Sequence, residues 1–155
     1  MEYTLAAKSL PQYEKEIPTS KLSQTLKDAV QTTRSIGLEY LWVDCMCIVQ
    51  DDADDWSRES ATMGKVYGLA ACTIVAAAKE DDGFFTKRNP YRVRSCIVPD
   101  PFSPESNELF YVRPQYLSDI YERKVKGSPW YNRGWVFQER VLSQRMLIFG
   151  RTQML

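Results

Sequence analysis

The chain has 155 residues, is 44% hydrophobic and 26% charged, and balances 20 Lys and Arg against 20 Asp and Glu. This is enough chain for one domain with its own core, and a formal net charge of zero removes the electrostatic case for nucleic acid or an anionic membrane as partner. Histidine is absent, which excludes a Ser-His-Asp triad, a Cys-His pair and any His-ligated metal, and leaves acid–base chemistry chiefly to carboxylates.

In chain order, Glu2 to Ala6 fits a short strand, and SLPQYEKEIPTS, with Pro11 and Pro18, reads as loop. This opening lacks the apolar core of a signal peptide, and no later run approaches the ~18 to 20 apolar residues of a membrane span. Leu22, Leu26, Val30 and Thr33 then fall at helical spacing, predicting a helix over Leu22 to Ile36 closed by Gly37. Glu39 to Val43 follows as a bulky apolar strand ending at Asp44, and Cys45 to Asp55 as a loop. A helix from Trp56 to Tyr67 comes next. The carboxylates of Asp51, Asp52, Asp54 and Asp55 just before it suit free backbone N–H groups and the helix dipole. The cluster does not follow a calcium-loop pattern, since glycine and glutamate are missing from the sixth and twelfth positions; a smaller Mg2+ site is the other reading.

Cys72 to Ala78, CTIVAAA, predicts a parallel strand buried on both faces. Residues 79–130 read as an insertion-like excursion, with a hairpin of Ser95 to Val98 against Leu109 to Val112 and a short helix over Tyr116 to Val125. Arg133 to Leu142 reads as helix and Arg145 to Phe149 as strand. Strands near 41, 74 and 147 thus alternate with helices near 29, 61 and 138. The pattern predicts one α/β domain over 1–155, a three-layer, mostly parallel sheet flanked by helices.

The cysteines, Cys45, Cys47, Cys72 and Cys96, are a poor zinc set, having one C-x-C and two distant singles. With apolar neighbours and no secretion signal they read as reduced thiols of a cytoplasmic protein. Neither G-x-G-x-x-G nor G-x4-G-K-[ST] occurs.

The carboxylate best placed for chemistry is Glu59, which shares a helix face with Trp56 and Met63. Burial there would raise its pKa; the alternative is a rim glutamate paired with Arg58 or Lys65. Asp44, at the strand end, faces the same crevice or accepts N–H groups of the next turn. Gln50 contacts a polar ligand or caps the loop. In RGWVFQERVL, Trp135, Gln138, Glu139 and Leu142 share a face, which predicts a buried polar network. Arg133 is free to meet Asp44, Glu59 or an anionic ligand group, or to form a structural tie.

Three stretches together resemble the fungal heterokaryon-incompatibility (HET) domain: LSQTLKDAVQTTRSIGLEYLWVDCMCIVQDDADDW, then ESATMGKVYGLAACTIVAAA with GFF at Gly83 to Phe85, then RGWVFQERVLSQRMLIFG. They span roughly residues 22–150 in the family's order. The resemblance implies a role in non-self recognition that leads to programmed cell death. It also implies a distant likeness to TIR domains, of flavodoxin-like architecture, some of which cleave NAD+ to nicotinamide and ADP-ribose. NAD-cleaving TIR domains carry a glutamate shortly after a tryptophan, as Glu59 follows Trp56 here. The expected site has Glu59 as the catalytic group and Asp44, Cys47, Gln50, Trp56, Arg133, Trp135, Gln138 and Glu139 around the substrate. No metal or cofactor is implied, NAD+ itself being the substrate; protein partners and self-association are. Residues 1–20 lack the family's L-S-Y-x-W-G strand, and the family often continues beyond a point equivalent to Leu155, so the first strand is expected to be atypical or truncated. That departure keeps open a non-catalytic interaction module or a degenerate relative.

Overall fold

The computed structural model describes residues 4–77, 83–89, 94–103, 105–112, 125–128, 130–151 and 153–155. Its first helix, α1 (Leu10–Tyr13), lies where a loop was expected. Pro11 falls in the first turn, where a missing N–H breaks no helical bond. A 3-10 turn over Thr19–Lys21 leads to α2 (Gln24–Ser35). The Ser23 hydroxyl caps α2 by accepting from the Leu26 N–H at 3.3 Å. At the other end Gly37 has φ +78 and the Leu38 N–H reaches back to the Thr33 carbonyl, a Schellman closure that glycine permits without strain. The predicted helix over Leu22 to Ile36 is therefore present, shorter by a residue or two at each end.

The strand predicted over Glu39 to Val43 is not formed: residues 38–43 join no ladder. Their apolar side chains are covered without one. Leu41 packs against the cluster of Ala29, Phe84 and Phe149, and Trp42 meets Tyr67 edge-on at 5.9 Å. Asp44 consequently ends no strand. It opens a one-turn helix, α3 (Asp44–Cys47), with its carboxylate accepting the Cys45 N–H at 2.7 Å and its carbonyl accepting from Ile48. Such a local bond competes with sheet pairing. The first strand expected at Glu2 to Ala6 is likewise absent over the described residues 4–6; Leu5 bonds instead to Cys45 O and Gln50 N.

Helix α4 (Ala53–Leu69) begins inside the aspartate cluster, three residues before the predicted start at Trp56, with Asp52 as its cap. Asp52 Oδ1 accepts from the N–H groups of Asp54 and Asp55 at 2.9 and 3.1 Å. Asp55 accepts the Val49 N–H at 2.8 Å and pairs with Arg58 at 2.5 Å, while Asp51 accepts from Ala7. Asp52→Ala leaves both N-terminal donors to water and is expected to destabilise the protein by about 1 kcal/mol in urea unfolding.

Strands β1 (Thr73–Ala76) and β4 (Met146–Phe149) pair in parallel, with Val75 opposite Ile148 and Ala76 opposite Phe149. Between them in sequence lies the predicted hairpin, β2 (Cys96–Pro99) against β3 (Leu109–Val112). The helix expected over Tyr116 to Val125 lies outside the described residues apart from Val125. Beyond β4 the chain turns back, and Leu155 exchanges backbone bonds with Ile148.

Alternation along β1 and β4 gives the small sheet two apolar faces. Val75, Ala77 and Ile148 join Val125, Trp130 and Val136 on one. Ile74, Ala76, Leu147 and Phe149 gather with Phe84 and Ala29 of α2 on the other. The described fold is thus mixed α/β around a two-stranded parallel sheet, where three parallel strands were expected.

The GFF stretch is fixed by a buried carboxylate. Asp28, 2% exposed on α2, accepts the Phe84 N–H at 2.7 Å, the Phe85 N–H at 3.1 Å and the Gln24 amide at 2.7 Å. Gly83 approaches so closely, at φ +74, that a Cβ there would stand 2.4 Å from Asp28 Oδ2. Arg88 then ties this turn to the end of β4 by donating to the carbonyls of Phe84 and Gly150.

Candidate functional site

The second half of the predicted site starts later than its periodicity suggested. A 3-10 turn (Trp130–Asn132) precedes α5 (Val136–Leu142), so Arg133 lies before the helix and Trp135 stands at its N-cap. Val136 is the buried residue of α5. Gln138 is exposed and takes no part in a buried network. Glu139 does: the indole N–H of buried Trp130 donates to its Oε2 at 3.2 Å.

Helix α5 packs on α4. Trp56 and Trp135 meet edge to face, 6.4 Å between centroids, each about half exposed at 47% and 55%. Glu59 is half-buried on the same helix as buried Met63, as the spacing predicts. Arg58 pairs with Asp55 rather than with Glu59, and among the described residues Arg133 forms no ion pair with Asp44 or Glu59.

Electrostatics shows which groups are neighbours. The Cys45 thiol is pushed up to about 11, first by burial and then by the Asp44 carboxylate, with Arg133 pulling the other way. Cys47 presents an exposed edge. Atoms packed about its sulfur still raise its pKa, and the Glu59 and Asp44 carboxylates add to that against the Val43 N–H, which donates to the sulfur. Both thiols stay protonated at neutral pH, which argues against a thiolate nucleophile. Tyr67 is raised chiefly by burial and then by Glu139 and Asp44. Its hydroxyl therefore remains a donor. Glu139 is raised by burial and by Asp44, opposed by the Trp130 N–H and by Arg133.

Asp44 is thus the common neighbour. Its carboxylate acts on Cys45, Cys47, Tyr67 and Glu139, and Glu59 acts with it on Cys47. Gln50 closes the loop beneath, its amide donating to the carbonyls of Ile48 at 2.9 Å and Asp44 at 3.2 Å, so it fills the capping role. Tyr67 and Trp130 were not expected here. Tyr67 continues the Trp56–Glu59–Met63 stripe, a signal that was present; Trp130 precedes the helix and has no periodic mark.

Two shallow hollows of about 490 and 530 Å3 lie elsewhere, along α2 and its exit. Val30 and Arg34 line both, and no predicted site residue lines either. Among the described residues, no group of three or more Cys, Asp or Glu is placed to hold a metal ion, and no helix is long and apolar enough to cross a membrane.

A family model described as heterokaryon incompatibility protein (HET) matches residues 4–139. Comparison with curated proteins and with solved structures returned no match.

Proposed function

Since the chain belongs to the heterokaryon-incompatibility (HET) family, we propose that it serves non-self recognition leading to programmed cell death, and that it does so by TIR-like cleavage of NAD+ in the cytoplasm. The observation that carries this reading is the packing of α5 on α4, with Trp56 against Trp135, which sets the helix of Glu59 beside the helix of Glu139. Glu59 orients the ribose hydroxyls and stabilises positive charge at C1′ as nicotinamide leaves. Nicotinamide departs as a neutral ring, so neither histidine nor metal is required. Arg133 suits the diphosphate, and the Trp56–Trp135 pair offers aromatic surface to a flat base. Asp44, Cys47 and Gln138 are assigned to the approach, with Gln50 holding the loop that carries the first two.

Incubating the purified protein with NAD+ at concentrations that favour association, and following nicotinamide by chromatography, tests this. Glu59→Ala is expected to lower release by about 10²- to 10³-fold while the thermal unfolding midpoint holds. No nicotinamide from the unaltered protein, or equal amounts from the variant, rejects the reading.

A second reading, an interaction module that signals through protein partners or self-association without chemistry, is favoured by exposed Trp56, Trp135, Phe137 and Val141 on α4 and α5. On that reading Glu59→Ala retains cell death in a fungal expression assay, and charges introduced at Phe137 and Val141 abolish it.

A further inference from the structure

We propose that Glu139 is a second catalytic carboxylate, the base that takes the proton of the attacking water, and that Trp130 is its positioning residue. The inference rests on the NAD+ reading and assigns the half of the reaction that Glu59 leaves open. Cleavage of the C1′–N bond sends both electrons to the pyridinium nitrogen. Water then bonds through oxygen to C1′ and must lose a proton, giving ADP-ribose, nicotinamide and one proton overall. A carboxylate whose pKa lies nearer neutrality than usual suits that transfer.

Glu139 has the setting. It is half-buried on α5, and Trp130, anchored in the apolar cluster of Val75, Ile148 and Val136, donates its indole N–H to one carboxylate oxygen. The attacking water is assigned to the other oxygen. The charged and titratable groups around it come from each packed element: Asp44 from α3, Tyr67 from α4 and Arg133 from the turn before α5. Arg140, next in sequence, lies over the Tyr131 ring. Burial and Asp44 hold the Glu139 proton on, whereas the Trp130 N–H and Arg133 favour its loss. Removing the indole donor therefore raises the Glu139 pKa further while keeping an aromatic ring in the core.

The test is the pH profile of nicotinamide release for unaltered protein, Glu139→Gln and Trp130→Phe, with thermal unfolding as the check on folding. Glu139→Gln is expected to lose the acid limb and about 10²-fold in kcat, with KM little changed. Trp130→Phe is expected to keep the plateau and move the acid limb to higher pH. Full kcat in Glu139→Gln, or an unmoved limb in Trp130→Phe, overturns the inference; if Glu59→Ala still abolishes cleavage, the NAD+ reading stands. Absence of nicotinamide from the unaltered protein overturns both. Should Trp130→Phe fail to fold, the kcat of isosteric Glu139→Gln decides alone.

Discussion

Asp28→Ala is expected to cost about 3 kcal/mol of stability, read as a lowered urea midpoint with the slope unchanged. The carboxylate lies wholly inside the protein and accepts from two backbone N–H groups, those of Phe84 and Phe85, as well as from Gln24. Phe84 is 1% exposed, so its orphaned N–H finds no water without opening the cluster it forms with Ala29 and Phe149. Gln24 is at the surface and recovers a partner readily. Asp28→Asn separates the terms. Both backbone bonds converge on Oδ2, and an amide oxygen can accept them, so this variant is expected to lose only about 1 kcal/mol. Equal losses for the two variants would show that the charge, and not the acceptor geometry, holds the turn.

Gly83→Ala is expected to cost a similar amount, about 3 kcal/mol, from two sources. A φ of +74 strains any residue with a Cβ, and the new methyl would collide with Asp28 Oδ2 at 2.4 Å and Gln24 Cγ at 2.7 Å. The strain belongs to the backbone and the Gln24 contact stays, but the nearest collision needs Asp28. In an Asp28→Ala background Gly83→Ala should therefore cost about 1 to 2 kcal/mol less. Strict additivity in that double-mutant cycle would place the cost in φ and the Gln24 contact.

These residues also mark what could be read from sequence. The α2 helix, its Gly37 closure, the aspartate cap of α4, the β2–β3 hairpin and the strands near 74 and 147 announce themselves through period, capping and turn chemistry. Residues 39–43 do not, because a five-residue apolar run says that side chains are covered and nothing about ladder bonds. Leu41 and Trp42 find cover on the second cluster and on Tyr67, and that ended the need for a strand. In the site, helical spacing put Glu59 on the helix face of Met63, which is buried, and of Trp56, which is half exposed. It misplaced Gln138, because the buried residue of that helix is Val136, while Trp135 and Leu142, taken as the inward face, stand exposed. The Trp130–Glu139 bond crosses from a 3-10 turn to an α-helix, and no single period spans that change.

The register of β1 against β4 sets the order in which the molecule can assemble. Thr73 pairs with Met146, so the chain must close a loop of roughly seventy residues, with its entropy cost met before either apolar cluster compensates. Helices α2 and α4 need only neighbours in sequence and can form within microseconds or less. The two helices carrying Asp28 and Glu59 are therefore shaped early, whereas Glu139, on the helix that precedes β4, reaches its neighbours only when the distant end of the chain arrives. Refolding followed by far-ultraviolet circular dichroism should accordingly run ahead of any signal from Trp130.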